Sequence, residues 1–189
     1  MRKVKAAGSA APASTATGGS RVLVNRAPVL TLWAAVVAQR LGFHRDEALT
    51  LGRVVAGLNA YAKGRSLGIF KPAPEELRRK RAAPGQVLHV DLMHRAVPVV
   101  QTPDGLRALS KDKPVSPESV QRYLESKFGA ALGAVEQALV ALAHSLPPED
   151  LARQAYELYE AFRPEVPPGV SGWGASGVLD LARVHALAR

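Results

Sequence analysis

Apolar residues recur at helical spacing towards both ends of the chain, and at alternate positions only in its middle. Pro28 suits the first turn of a helix, and Leu30, Trp33, Val37 and Leu41 then share one face before Gly42 stops it. Asp46 and Glu47 suit the first turn of a second helix, where carboxylates complement exposed N–H groups. Its stripe is Leu51, Val54, Val55, Leu58 and Ala62, and Gly64 ends it. A short third helix is predicted over residues 74–82, closed by Pro84 and Gly85. The period then changes. Val87, Leu88, Val90 and Leu92, followed by Val97, Val99 and Val100, predict a hairpin turning at residues 93–96. Pro103, Asp104 and Gly105 predict a turn into a further strand over residues 106–109. Pro98 has no N–H to give, which predicts an edge position for its strand.

Helical spacing returns after Ser116, a good cap with Pro117 and Glu118 behind it. Val120, Tyr123, Leu124 and Phe128 form one stripe, and Leu132, Val135, Leu139 and Leu142 a second, beyond a break at Gly129. Pro148, Glu149 and Asp150 open another helix carrying Leu151, Ala155, Leu158 and Phe162. A Pro/Gly-rich loop follows over residues 163–174, then a last segment that begins extended and ends helical. The fold class predicted is mainly α with a minor β part: a helical bundle with a small β-hairpin or three-stranded meander in the middle. Residues 1–20 lack acidic side chains and large apolar ones apart from Val4, so they predict a disordered basic tail. Residues 21–101 read as a basic helical region ending in the hairpin. Residues 102–189 read as a slightly acidic helical region packed with it as one unit.

Charge changes this picture most. Residues 1–101 hold sixteen Lys/Arg and five Asp/Glu, whereas residues 102–189 hold nine and eleven. The excess of +9 therefore belongs to the first half, the electrostatic footprint expected of a nucleic-acid binder. The candidate contacts are Arg45, Arg53, Lys63, Arg65, Lys71 and the run Arg78, Arg79, Lys80, Arg81, with the hairpin as a wing on the backbone. Glu75 and Glu76 stand four residues before Arg79 and Lys80, so part of the run can pair locally, while Arg78 and Arg81 stay unmatched. Contacts of this kind reach phosphates and read little sequence. DNA is the expected target, with RNA second. The alternative is a protein-interaction or adaptor module without catalytic activity, meeting a second copy of itself or an acidic protein partner.

Ala48, Gly52 and Leu58 have the spacing of a helix-turn-helix unit, and the stretch resembles that family. The resemblance implies a recognition helix presenting Arg53, Asn59, Lys63 or Arg65 to the major groove. Ala48, Gly52, Ala56 and Ala60 also form a small-residue ridge every four positions, which requires one unbroken helix approached closely by another. That second reading is the stronger.

Other chemistry is thin. The glycines of Lys63-Gly64-Arg65-Ser66-Leu67-Gly68 do not follow a Walker order, and no dinucleotide fingerprint follows a strand. His89 and Asp91 share one strand face with His94 near the turn, but polar residues on an exposed face explain them better than a metal or a catalytic site. Nucleophile elbows, zinc-protease helices and cysteines are all absent, so no cofactor, metal or catalytic residue is assigned and enzymatic activity is not expected. The longest apolar stretch, residues 28–38, falls well short of the roughly 20 residues a membrane helix requires, so no membrane partner is expected and a cytoplasmic protein is. Gly172-Trp173-Gly174-Ala175, with Leu49-Thr50-Leu51-Gly52 and Leu58-Asn59-Ala60-Tyr61-Ala62-Lys63-Gly64-Arg65, is similar to a bacterial conserved-hypothetical family of unassigned role. That resemblance implies a bacterial cytosolic protein and carries no activity.

Overall fold

The computed structural model describes residues 20–66, 87–170 and 174–189, the first stretch as backbone only beyond residue 62. Among these residues about 59% are helical and 21% lie in strands of two antiparallel sheets, which corrects the expected mainly-α bundle to an α+β fold. In chain order the elements are β1 (Arg21–Val24), α1 (Arg26–Arg40), α2 (Arg45–Ser66), β2 (Leu88–Leu92), β3 (Arg95–Thr102), β4 (Gly105–Ser110) and β5 (Lys113–Pro114). There follow α3 (Pro117–Phe128), α4 (Leu132–His144), α5 (Pro148–Phe162), β6 (Gly177–Asp180) and α6 (Leu181–Leu187). The predicted helix over 74–82 and almost all of the basic tail lie outside the described residues.

Helix α1 is the centre of the core. Eleven successive residues from Pro28 to Ala38 are buried on every side, because α2, α3, α4 and α5 all pack around it. The apolar run therefore serves burial within the protein rather than a one-sided stripe. Trp33 is fully buried, donates its Nε1–H to the Ala155 carbonyl at 2.8 Å, and meets Phe162 edge-on at 5.4 Å. Its single polar atom is thus satisfied inside the core.

Helix α2 runs unbroken through Gly52, so this stretch is a ridge and not a helix-turn-helix. Ala48 and Ala56 are buried on the same line. At Gly52 a methyl group would stand 2.3 Å from the Thr31 carbonyl oxygen and 2.9 Å from the Ala35 nitrogen. The absent side chain is what brings α1 and α2 into contact.

The larger sheet has the order β2-β3-β4-β5. Pro98 therefore lies in an internal strand, which overturns the predicted edge position. The physical reason is in the register. Leu92 and Arg95 close a two-residue turn in which Met93 and His94 have φ of 51° and 60°. Bonded pairs alternate from there, so Pro98 and its partner His89 exchange no hydrogen bond. On the other side the β3–β4 ladder stops at Val99 and Ala108, one residue short of Pro98. Proline is tolerated because no neighbour asks for its N–H.

The outer edge of β4 is covered by side chains from α2. Leu106 donates its N–H to Glu47 Oε2 at 2.9 Å, and Ala108 to Thr50 Oγ1 at 3.1 Å. The other Glu47 oxygen accepts the His44 N–H that opens the helix, as in a capping box. Thr50, fully buried, completes its bonding by donating to the Glu47 carbonyl. Thr50→Val keeps the shape but strands the Ala108 N–H, and should lower stability by about 2 kcal/mol in urea unfolding. Glu47 adds a pH dependence. The Leu106 N–H holds its carboxyl below the ordinary carboxylate value against the opposing effect of burial, with help from the His44 N–H and the charges of His44 and Arg107. A folded value below the unfolded one gives stability that is complete above about pH 4.3 and lost as pH falls through the folded value. Glu47→Gln should therefore cost about 1–2 kcal/mol at pH 7. Its deficit against the parent should shrink below about pH 4, and a constant deficit from pH 7 to pH 3 contradicts this account.

A second, two-stranded sheet pairs β1 with β6, from Arg21 opposite Asp180 to Val24 opposite Gly177. It joins the two ends of the described chain, and α6 packs on α4 beside it. The last segment is extended and then helical, as predicted.

Candidate functional site

The candidate cations divide into two groups. Arg45 opens α2 at the surface, but Nη1 donates to Glu136 Oε1 on α4 at 2.7 Å and Nη2 to Gln121 Oε1 on α3 at 3.0 Å. Gln121 passes the network on to Glu125 at 2.9 Å. Arg53 lies over the Tyr123 ring of α3 at 4.3 Å, in cation–π range, with the Lys127 ammonium 6.0 Å from the same ring. Burial pushes the Tyr123 hydroxyl up, which the Arg53 charge partly offsets. Both arginines thus clasp α2 to the second half of the chain; Glu136 offsets the Arg45 charge, while Arg53 keeps its charge over a neutral ring.

Three more side chains are likewise engaged within the fold. Arg26 Nε donates to the Pro164 carbonyl at 3.0 Å, and Arg40 Nη2 to the Leu146 carbonyl at 3.3 Å. Asn59, considered for the groove, accepts from Arg95 Nε at 3.2 Å and Nη2 at 3.0 Å, and donates to the Val55 carbonyl at 3.0 Å. Its amide is spent tying α2 to β3.

Lys63 and Arg65 belong by backbone to the last turns of α2. Lys71 and the run Arg78, Arg79, Lys80 and Arg81 lie outside the described residues. The distribution of charge between body and flanks is then simple. Fifteen Lys/Arg and fourteen Asp/Glu have described side chains, so the folded body is close to neutral. Residues 63–81 hold seven Lys/Arg against Glu75 and Glu76, and residues 1–19 hold three more with no acid. Most of the formal surplus of +9 therefore belongs to these two stretches of sequence.

Two open clefts mark the described surface. One, of about 440 Å³, lies where α2 starts beside α3 and is lined by Arg45, Asp46, Glu118, Gln121, Arg122 and Glu125. The other, of about 410 Å³, lies beside β6, where Arg21, Arg163 and Arg183 face Glu165 and Asp180. Both mix signs, so neither is a basic hollow for an anion. His89 and Asp91 are exposed on β2, while His94 at the turn approaches Glu157 at 3.5 Å and the Tyr156 ring at 6.3 Å. Among the described residues no group of three His or carboxylate side chains could hold a metal.

Sequence reasoning missed the Glu47 and Thr50 clasp. The available signal was Thr50 itself, a polar residue between Leu49 and Leu51 and one turn beyond a first-turn glutamate. Among the described residues no helix is long and apolar enough to cross a membrane. No family model, no curated protein and no solved structure matches the chain.

Proposed function

We propose that this chain binds nucleic acid, DNA foremost, through the basic stretch 63–81, which begins within the last turns of α2 and precedes β2 in the sequence. The observation that carries the reading is the contrast between a near-neutral folded body and seven cations within those nineteen residues. Lys63, Arg65, Lys71, Arg78, Arg79, Lys80 and Arg81 meet phosphates, and the released counterions supply the affinity. Recognition of this kind reads backbone rather than base edges, so little sequence preference is expected. Arg45 and Arg53 are left out of this reading, because their side chains are held against α3 and α4. The cytoplasm, where such a target resides, is the compartment this reading assigns.

The test is anisotropy of a labelled 20-base-pair duplex titrated with the full chain between 50 and 300 mM salt. Seven cations on phosphates predict a slope of log K against log salt near −6, at about −0.9 per phosphate neutralised. Absence of binding near 50 mM salt, or a flat plot, overturns the proposal. A single-stranded RNA of equal length in the same titration separates the two nucleic acids.

A further inference from the structure

We infer that β2 is a self-association strand, pairing antiparallel with β2 of a second copy about a two-fold axis centred on Val90. The inference stands apart from the polyanion reading. Strand β2 forms one edge of the four-stranded sheet, and no described strand lies against its outer side. The two-residue turn at Met93 and His94 sets which backbone groups face outward. Leu92 bonds with Arg95, Val90 with Val97 and Leu88 with Val99, so His89 and Asp91 point their N–H and C=O groups away from β3. A row of outward backbone groups with no partner among the described residues is a template for another strand.

Outward groups at positions 89 and 91 allow three symmetric registers. His89 opposite His89 sets two imidazoles side by side, and Asp91 opposite Asp91 sets two carboxylates side by side. The third register places His89 opposite Asp91 of the second copy, twice, on the exposed face. Like charges directly opposite disfavour the carboxylate register, and opposite partners favour the third. On the other face Leu88 is half exposed at 52%, while Leu92 is already buried in its own core. Val90 then meets Val90. The His89–Asp91 pairing selects this register, which makes about four backbone hydrogen bonds and joins two sheets into one. A strand of five residues buries a small area, so the dimer is weak, with half-association on the order of 100 μM.

The chain has no cysteine, so single thiols report the register directly. At Val90 the two copies form a pair without backbone bonds, whose Cα atoms lie about 4.5–5.5 Å apart, within disulfide range. Val90→Cys in the full chain at 100 μM should cross-link under mild oxidation at least tenfold faster than Ser126→Cys, on the exposed face of α3. His89→Cys and Asp91→Cys change exposed side chains only, so they test the register even if Val90→Cys folds poorly. Each alone should match the Ser126→Cys rate, and a mixture of the two should cross-link at least tenfold faster. Rates no faster than the control in both arms, or faster self-linking of His89→Cys or Asp91→Cys, overturn the inference. So does sedimentation of the unsubstituted chain as a monomer up to 500 μM.

Discussion

Gly52→Ala is expected to lower stability by about 2–3 kcal/mol, and the melting temperature by about 6–10 °C. In an isolated helix the same change is favourable by nearly 1 kcal/mol, since alanine loses less backbone entropy than glycine. Packing reverses the sign. The added methyl would meet the Thr31 oxygen at 2.3 Å, the Ala35 nitrogen at 2.9 Å and the Ala35 Cβ at 3.2 Å. None of these is the end of a flexible side chain, so relief requires α1 itself to move. That helix carries Trp33 into contact with Phe162 and the Ala155 carbonyl, and a displacement loosens the centre of the core. Gly57 supplies the control within the same helix. It is exposed, and a methyl there meets nothing within 4 Å. Gly57→Ala should therefore stabilise by about 0.5–1 kcal/mol. Urea unfolding of the two variants decides the matter. Equal shifts of the same sign would mean that close approach at Gly52 is not what holds α1 against α2.

Parts of the fold legible in the sequence were those set by neighbours along the chain. Ala48, Gly52 and Ala56 announce a ridge because their spacing matches the helical repeat, and α2 uses them as one. Ser116 announces a cap, and its hydroxyl accepts the Ser119 N–H at 3.3 Å. Leu88 to Val100 announces a hairpin, which β2 and β3 form. Pairings between distant stretches leave no such mark. Residues Arg21–Val24 contain nothing that names Gly177–Asp180 as their partner, roughly 150 positions on. β5 is two residues long, too short for any period to register. The mainly-α expectation failed on these strands.

The partners of Arg45 and Arg53 were hidden from the sequence for a related reason. Local sequence shows a cation on an exposed helical face, but its partners Glu136, Gln121 and Tyr123 come from helices seventy or more residues later. Charge counted along a chain is therefore not charge displayed on a surface. Of the formal surplus of +9, residues 63–81 carry five.

Replacing Arg78, Arg79, Lys80 and Arg81 together by glutamine should weaken duplex binding on the order of 100-fold near 100 mM salt. The slope of log K against log salt should lose about 3–4 in magnitude, because each cation lost from a phosphate contact removes nearly one released counterion. Neutral glutamine is the informative choice, since glutamate would add repulsion and confuse a lost contact with a new penalty. The Arg45→Ala and Arg53→Ala variants are the counterpart. Each removes one charge from the same half of the chain, yet from a side chain already engaged by Glu136 or Tyr123. Both should bind duplex within about twofold of the parent and keep its salt slope, while losing up to about 1 kcal/mol of stability with their partners. Thermal melting of the fourfold variant checks that the fold is retained, so that a lost slope reports lost contacts. If the slope survives the fourfold change, or falls as much with Arg45→Ala, then the tetrad does not carry the phosphate contacts and the basic stretch is not the binding element.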